Sequence, residues 1–329
     1  MDFPLSIAAV APSLLLLGFY YWRLGFSTNR RLFLLFLLFF ISGIISGLLA
    51  LGLQLIFESF AGQIPAWQRF TRTLLGASIR QLFAIAPIEE GCKLAVASIP
   101  VYYLETRHSL SSRTIFLCAI AVCLGFSAQE NVVYVFHDSE SLFDRIIGTP
   151  FHLLFSTPWI FVLSKYCFLK NITVNSLRQN YRKYLGVAGL NSIICHVLVN
   201  LLSTAGEYIR NLQFLSYGLF PFLLWMFWRF EQYLNLLQNK PKISLISGLT
   251  RQHSYWQRGL VVFILMLGGN AIFGMFVLVK IVMPLLSKNI FDAEIIWFIL
   301  SRTAVNLIFG ILAVGIYCYL RNLAKKTQP

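Results

Sequence analysis

Four short patterns in this 329-residue chain hold side chains that can move protons or bind metal. The first is Glu89-Glu90-Gly91-Cys92-Lys93, set inside an apolar run. On a helix Lys93 is one turn from both glutamates and reaches either carboxylate, while adjacent side chains point about 100° apart. One carboxylate is then charge-paired and the other is left to take a proton. The second pattern, Phe126 to Asn131, contributes Glu130 with no basic residue one turn away. Its counter-charge must come from another helix, or it must hold a proton itself, and either state suits acid–base chemistry. Asn131 beside it can donate a hydrogen bond to a ligand or cap a polar patch. His152 forms the third pattern, and His196 with Asn200 one turn later forms the fourth. Each imidazole can act as a ligand or as a packed hydrogen-bonding residue.

The segments that must position these groups are mostly apolar. Hydrophobic residues make up 57% of the chain and charged residues 12%, with a mean hydropathy of +0.70, which excludes a water-facing surface of this size. Nine runs approach the roughly 20 residues that cross a bilayer, at about 5–22, 32–56, 79–103, 114–136, 151–169, 185–205, 212–228, 259–284 and 295–320. The expected fold is all-α, a polytopic membrane helical bundle of about nine transmembrane helices. The six cysteines lie in apolar stretches with no CxxC pair, so neither a disulfide framework nor a zinc knuckle is expected.

Sorting the basic residues onto alternate loops places 18 on one side and 6 on the other. By the positive-inside rule the richer side is cytoplasmic, which puts the N-terminus outside and the C-terminus in the cytoplasm. The net charge of +14 then reads as a topology signal with anionic lipid headgroups as its partners, and no nucleic-acid site is expected. With that topology Glu90 lies about 11 residues from the outer face, Glu130 about 6, His196 about 9, and His152 very near it. Charges inside a membrane must face protein or water. Four polar groups in the outer half, on helices of alternating direction, imply a hydrated cavity that opens outward.

The motifs also carry a likeness. EExxK at Glu89, Glu90 and Lys93, FxxxEN at Phe126, Glu130 and Asn131, a histidine heading the next span, and HxxxN at His196 and Asn200 resemble the PrsW family of intramembrane proteases. The order of the motifs and the apolar spans between them agree as well. This resemblance implies a multi-pass peptidase of the cell (inner) membrane, acting on membrane proteins or peptides and distantly related to CAAX prenyl endopeptidases. It sets a protease core at 1–230, a basic cytoplasmic connection at 231–258, and two additional C-terminal transmembrane helices with a basic tail at 259–329. One departure concerns the wall after the first histidine. Family members tend to carry a small residue about two turns on, whereas this chain has Pro158 and Trp159 nearby.

Amide hydrolysis in such a cavity needs a water, a base for its proton, and a group facing the developing oxyanion. Glu90 or Glu89 is the expected base, with Lys93 placing or balancing the pair. His196 and Asn200 would stabilise the oxyanion, and His152 and Glu130 would complete the water site. In a zinc-assisted version His152, His196 and Glu130 hold the metal, a position stays open for water, and Glu90 is the base. The same side chains would also serve a proton-coupled transporter. A non-catalytic membrane scaffold would need none of them to react.

Overall fold

The computed structural model describes residues 3–26, 30–107, 110–137, 139, 141–169, 175–238, 245–246, 250–285 and 293–327. These residues are helical between turns, with no strand among them. Seven helical segments among them are long and apolar enough to cross a membrane: Leu5–Arg23, Arg30–Ala61, Ser112–Phe136, Asp144–Lys165, Lys183–Tyr208, Arg251–Val279 and Ala293–Ala324. The protein is therefore an all-α, multi-pass membrane bundle. It divides into two compact units, Met1–Lys240 and Pro241–Pro329.

In the first unit, α1 (Phe3–Arg23), α2 (Arg30–Ala61), α5 (Ala86–Arg107) and α7 (Leu142–Leu169) all pack on α6 (Ser112–Phe136). Residues 114–129 of α6 are buried without a break, because this helix is apolar or small on every side. Glycines allow its neighbour in. A Cβ on Gly125 would strike the Phe40 carbonyl of α2, and one on Gly43 would strike the Val122 carbonyl of α6. The two backbones touch directly at that crossing.

The third apolar run is helical throughout, though not as one regular α-helix. Ahead of α5 come two short helices, α3 (Pro65–Thr71) and α4 (Leu74–Arg80), and a π-helical turn at Gln81–Ile85. Thr73 caps α4 by accepting a hydrogen bond from the Gly76 N–H at 3.1 Å. Eight residues of ideal α-helix would leave Gln81 and Glu89 about 80° apart around the axis. The wider π turn takes up much of that angle, and both side chains line one cavity. α8 (Asn175–Tyr208) follows, then a 3₁₀ stretch at Arg210–Gly218 and α9 (Leu219–Leu237). The seventh run, expected at 212–228, is thus helical in a later frame that includes Arg229 and Glu231. Glu231 is tolerated there because Arg23 of α1 grips it through both guanidinium nitrogens.

The second unit is an antiparallel pair, α10 (Arg251–Leu285) and α11 (Ala293–Thr327). Gly268, Ala271 and Gly274 of α10 meet Ala313, Gly310 and Asn306 of α11 in turn, a small-residue seam. Within the connection expected at 231–258, residues 239–244 and 247–249 lie outside the described residues.

The α2–α6 contact yields a stability prediction. Gly125→Ala overpacks it and should lower stability by about 1–3 kcal/mol. Gly52→Ala, whose new Cβ meets nothing within 4 Å, should instead stabilise α2 slightly. Denaturant unfolding of the detergent-solubilised protein compares the two, and equal responses would rule out the close crossing.

Candidate active site

Four helices converge on one place. α5 supplies Glu89, Glu90 and Lys93, α6 supplies Glu130 and Asn131, α7 supplies His152, and α8 supplies His196 and Asn200. They border a cavity of about 600 Å³ whose polar lining includes Gln54, Gln81, Glu89, Glu130, His152 and His196.

The paired glutamates part company. Glu90 is 2% exposed and Lys93 is 0% exposed, so each charge has to be met by protein groups. Lys93 Nζ donates to Glu90 Oε1 at 2.6 Å. The other oxygen, Oε2, accepts from the Ser156 hydroxyl at 2.7 Å and from the Trp159 indole N–H at 3.0 Å. Glu90 therefore has both oxygens bound and sits behind the cavity wall. Glu89 faces the cavity. Its Oε1 accepts from Gln54 Nε2 at 3.0 Å, while its Oε2 is buried with no hydrogen-bond partner among the described residues. Around that oxygen stand His196 Nε2 at 3.7 Å and Lys93 Nζ and His152 Nδ1, each at 4.0 Å.

Lys93 links the carboxylates to the imidazoles. Its ammonium also meets His152 Nδ1 at 3.0 Å and lies 4.2 Å from the centre of the Phe126 ring. An ammonium only donates, so His152 Nδ1 is the acceptor and Nε2 carries the ring proton. That Nε2 donates to Glu130 Oε2 at 2.5 Å. The missing counter-charge of Glu130 is Arg145, at the start of α7, whose guanidinium reaches Oε2 at 2.6 Å and Asn131 Oδ1 at 3.0 Å. Asn131 in turn donates to Thr149 Oγ1 and to the Ala9 carbonyl, so it is held within the bundle. Among these groups three carboxylates face two fixed cations, and the unmatched charge falls on Glu89.

His196 lies flat against Phe155, with ring centres 4.5 Å apart, and its Nδ1 is 3.4 Å from Glu90 Oε1. Asn200, a turn further along α8, lines the cavity but bonds away from the carboxylates: its Nδ2 donates to Gln81 Oε1 at 3.1 Å.

Glu89, Glu130 and His152 each offer a ligand atom within 4.8 Å of one another. Two carboxylates and an imidazole suit a divalent metal, and the unpartnered Oε2 of Glu89 marks where such an ion would find a donor. The set read from the sequence had His196 in place of Glu89. His196 Nε2 stands at the border of this group, 3.7 Å from Glu89 Oε2.

Sequence reasoning missed Gln54, Gln81, Arg145, Ser156 and Trp159. Ser156 and Trp159 follow His152 by four and seven residues, so helical spacing alone puts them on its face. The residue expected to reshape the wall, Trp159, is fully buried and anchors Glu90. No such local signal marks Gln54, which comes from a helix outside the motifs.

Comparison with known proteins places the chain in a family. The sequence model of the PrsW family intramembrane metalloproteases matches residues 31–226, more than half of the chain. A protein named Protease PrsW from Clostridioides difficile (strain 630) is 30% identical over 115 residues, which cover 33% of this chain and 45% of that protein. The matched part thus spans less than half the length of that relative. No solved structure matches. The family match takes in the four helices that carry the sequence motifs, and the chain belongs to the PrsW family of intramembrane metalloproteases.

Proposed function

We propose that this protein is an intramembrane endopeptidase that hydrolyses membrane-associated proteins or peptides, with Glu89 as the general base. The observation that carries this reading is the contrast within the glutamate pair. Glu90 is saturated by Lys93, Ser156 and Trp159, whereas Glu89 lines the cavity and has one oxygen, Oε2, without a hydrogen-bond partner among the described residues. Glu89 Oε2 takes a proton from a cavity water as the oxygen adds to the scissile carbonyl carbon. The negative charge that builds on the carbonyl oxygen is met by His196 and by an N–H of Asn200. The proton then passes to the leaving nitrogen as the C–N bond breaks. Lys93, tied to Glu90, sets the field around the base, and the Glu130–Arg145 pair holds His152 beside the water.

A zinc-assisted form of the same hydrolysis is the second reading, supported by the convergence of Glu89, Glu130 and His152. Those three residues would hold the ion, with His196 beside them. Bound zinc would acidify the attacking water and polarise the scissile carbonyl. Loading it requires the proton between His152 and Glu130 to leave.

The proposed arrangement in the membrane has nine crossings, with the N-terminus outside and the C-terminus in the cytoplasm of a cell (inner) membrane. The 22-residue α5 and the 19-residue α9 supplement the seven more apolar segments, and the 18 to 6 loop charge supports the orientation. The catalytic core is residues 1–230. The connection at 231–258 and the hairpin at 259–329 lie on its C-terminal side, and basic loops meet anionic headgroups.

The expected outcomes are as follows. Glu89→Gln abolishes cleavage of single-span substrates by vesicle-reconstituted protein, a loss of about 10²–10⁴-fold, and leaves unfolding near wild type. Glu90→Gln strands Lys93 and also costs about 3–5 kcal/mol of stability. Ion flux with no cut product from any substrate would favour transport instead. If zinc takes part, mass spectrometry finds it bound to the purified wild type and lost in Glu130→Ala, and a chelator stops cleavage; chelator-resistant turnover assigns the reaction to the glutamate alone. For topology, in a cysteine-replaced background, Ser139→Cys should react with an impermeant maleimide from outside and Ser111→Cys only after permeabilisation.

A further inference from the structure

Two glutamines touch the reacting groups from outside every motif. Gln54 reaches in from α2, where its Nε2 donates to Glu89 Oε1 at 3.0 Å. Gln81 stands in the π turn before α5, where its Oε1 accepts from Asn200 Nδ2 at 3.1 Å. Both line the cavity, and each bonds a different member of the proposed machinery.

The chemistry of each bond is directional. A carboxylate with two equal oxygens can rotate and offer either to a water. With Oε1 engaged by Gln54, Oε2 is the oxygen left free of a hydrogen bond among the described residues. An asparagine amide has two N–H groups. With one given to Gln81, the amide plane of Asn200 is fixed and the second N–H is available to a carbonyl oxygen in the cavity. The π turn matters here, since it swings Gln81 toward the side of the helical axis from which Glu89 projects.

We infer that Gln54 and Gln81 are positioning residues for hydrolysis: Gln54 holds the base with one oxygen toward the water, and Gln81 holds Asn200 with one N–H toward the oxyanion. This inference rests on the glutamate-base reading above. Neither glutamine exchanges a proton with substrate. Each acts through the residue it grips, so its loss degrades the reactive geometry and leaves substrate binding intact.

Methionine and glutamate substitutions separate this from packing, because both approximate the shape of glutamine. Methionine removes donor and acceptor alike, whereas glutamate removes the donor and keeps an acceptor. Position 54 needs a donor. Gln54→Met and Gln54→Glu should both lower kcat by about 10–100-fold with KM near wild type, the glutamate more so because it faces a like charge. Position 81 needs an acceptor. Gln81→Met should lower kcat similarly, and Gln81→Glu should recover most of that loss.

The assay uses the full-length protein in vesicles with one cleavable single-span substrate, thermal unfolding of every variant, and Glu89→Gln alongside. The inference is overturned by a Gln54→Met kcat within about twofold of wild type, by Gln81→Glu no faster than Gln81→Met, by a change confined to KM, or by unfolding of the variants at assay temperature. Each of those results, with Glu89→Gln inactive, leaves the base assignment standing. Cleavage by Glu89→Gln at the wild-type rate would instead remove the base assignment itself, and the roles of both glutamines with it.

Discussion

The buried ion pair between Lys93 and Glu90 is the constraint around which this site is built. Neither charge reaches water, and a lone ion in that position would cost several kcal/mol. The surrounding helices are therefore obliged to complete its coordination. α7 sends in Ser156 and Trp159, α6 places the Phe126 ring by the ammonium, and the remaining reach of Lys93 goes to His152. Once these bonds are made, the relative rotation of α5, α6 and α7 is fixed. The glutamate this network leaves out, Glu89, is the one proposed above as the base.

Specificity of charge follows from the same arrangement. Glu90 and Glu130 each have a fixed cation at 2.6 Å, whereas Glu89 meets Lys93 only at 4.0 Å. An excess anion beside a hydrated space is what a base requires, and it is also what attracts a divalent metal. The convergence of Glu89, Glu130 and His152 thus bears on both the acid–base and the metal reading.

Much of this was legible in the sequence, and the reason is local. Glu89, Glu90 and Lys93 are within a turn of one another, His196 and Asn200 are four apart, and apolar runs as long as α2 and α6 admit few structures besides a membrane helix. What could not be read depends on contacts between distant segments. Arg145 looked like an ordinary loop cation, yet α7 begins early enough to carry it down to Glu130. Gln54 looked like one more polar residue near a helix end, and nothing in α2 signals that Glu89 lies opposite. The π turn at residues 81–85 escaped because the apolar pattern continues across it, and the change lies in the backbone hydrogen bonding rather than in residue type. Trp159 is instructive for the opposite reason: bulk at that place suggested an altered wall, and its polar edge instead became part of the scaffold.

The burial of residues 114–129 of α6 has a consequence for how the protein is made. Along that stretch the helix has its neighbours supplied by other parts of the chain. When α6 leaves the ribosome, α1 and α2 are already synthesised, but Thr149, His152 and Arg145 on α7 are not. Asn131 and Glu130 thus lack their final partners until the following segment arrives. A truncation just after Phe136 would leave Glu130 and Asn131 at the end of an apolar helix without the clasp that holds them.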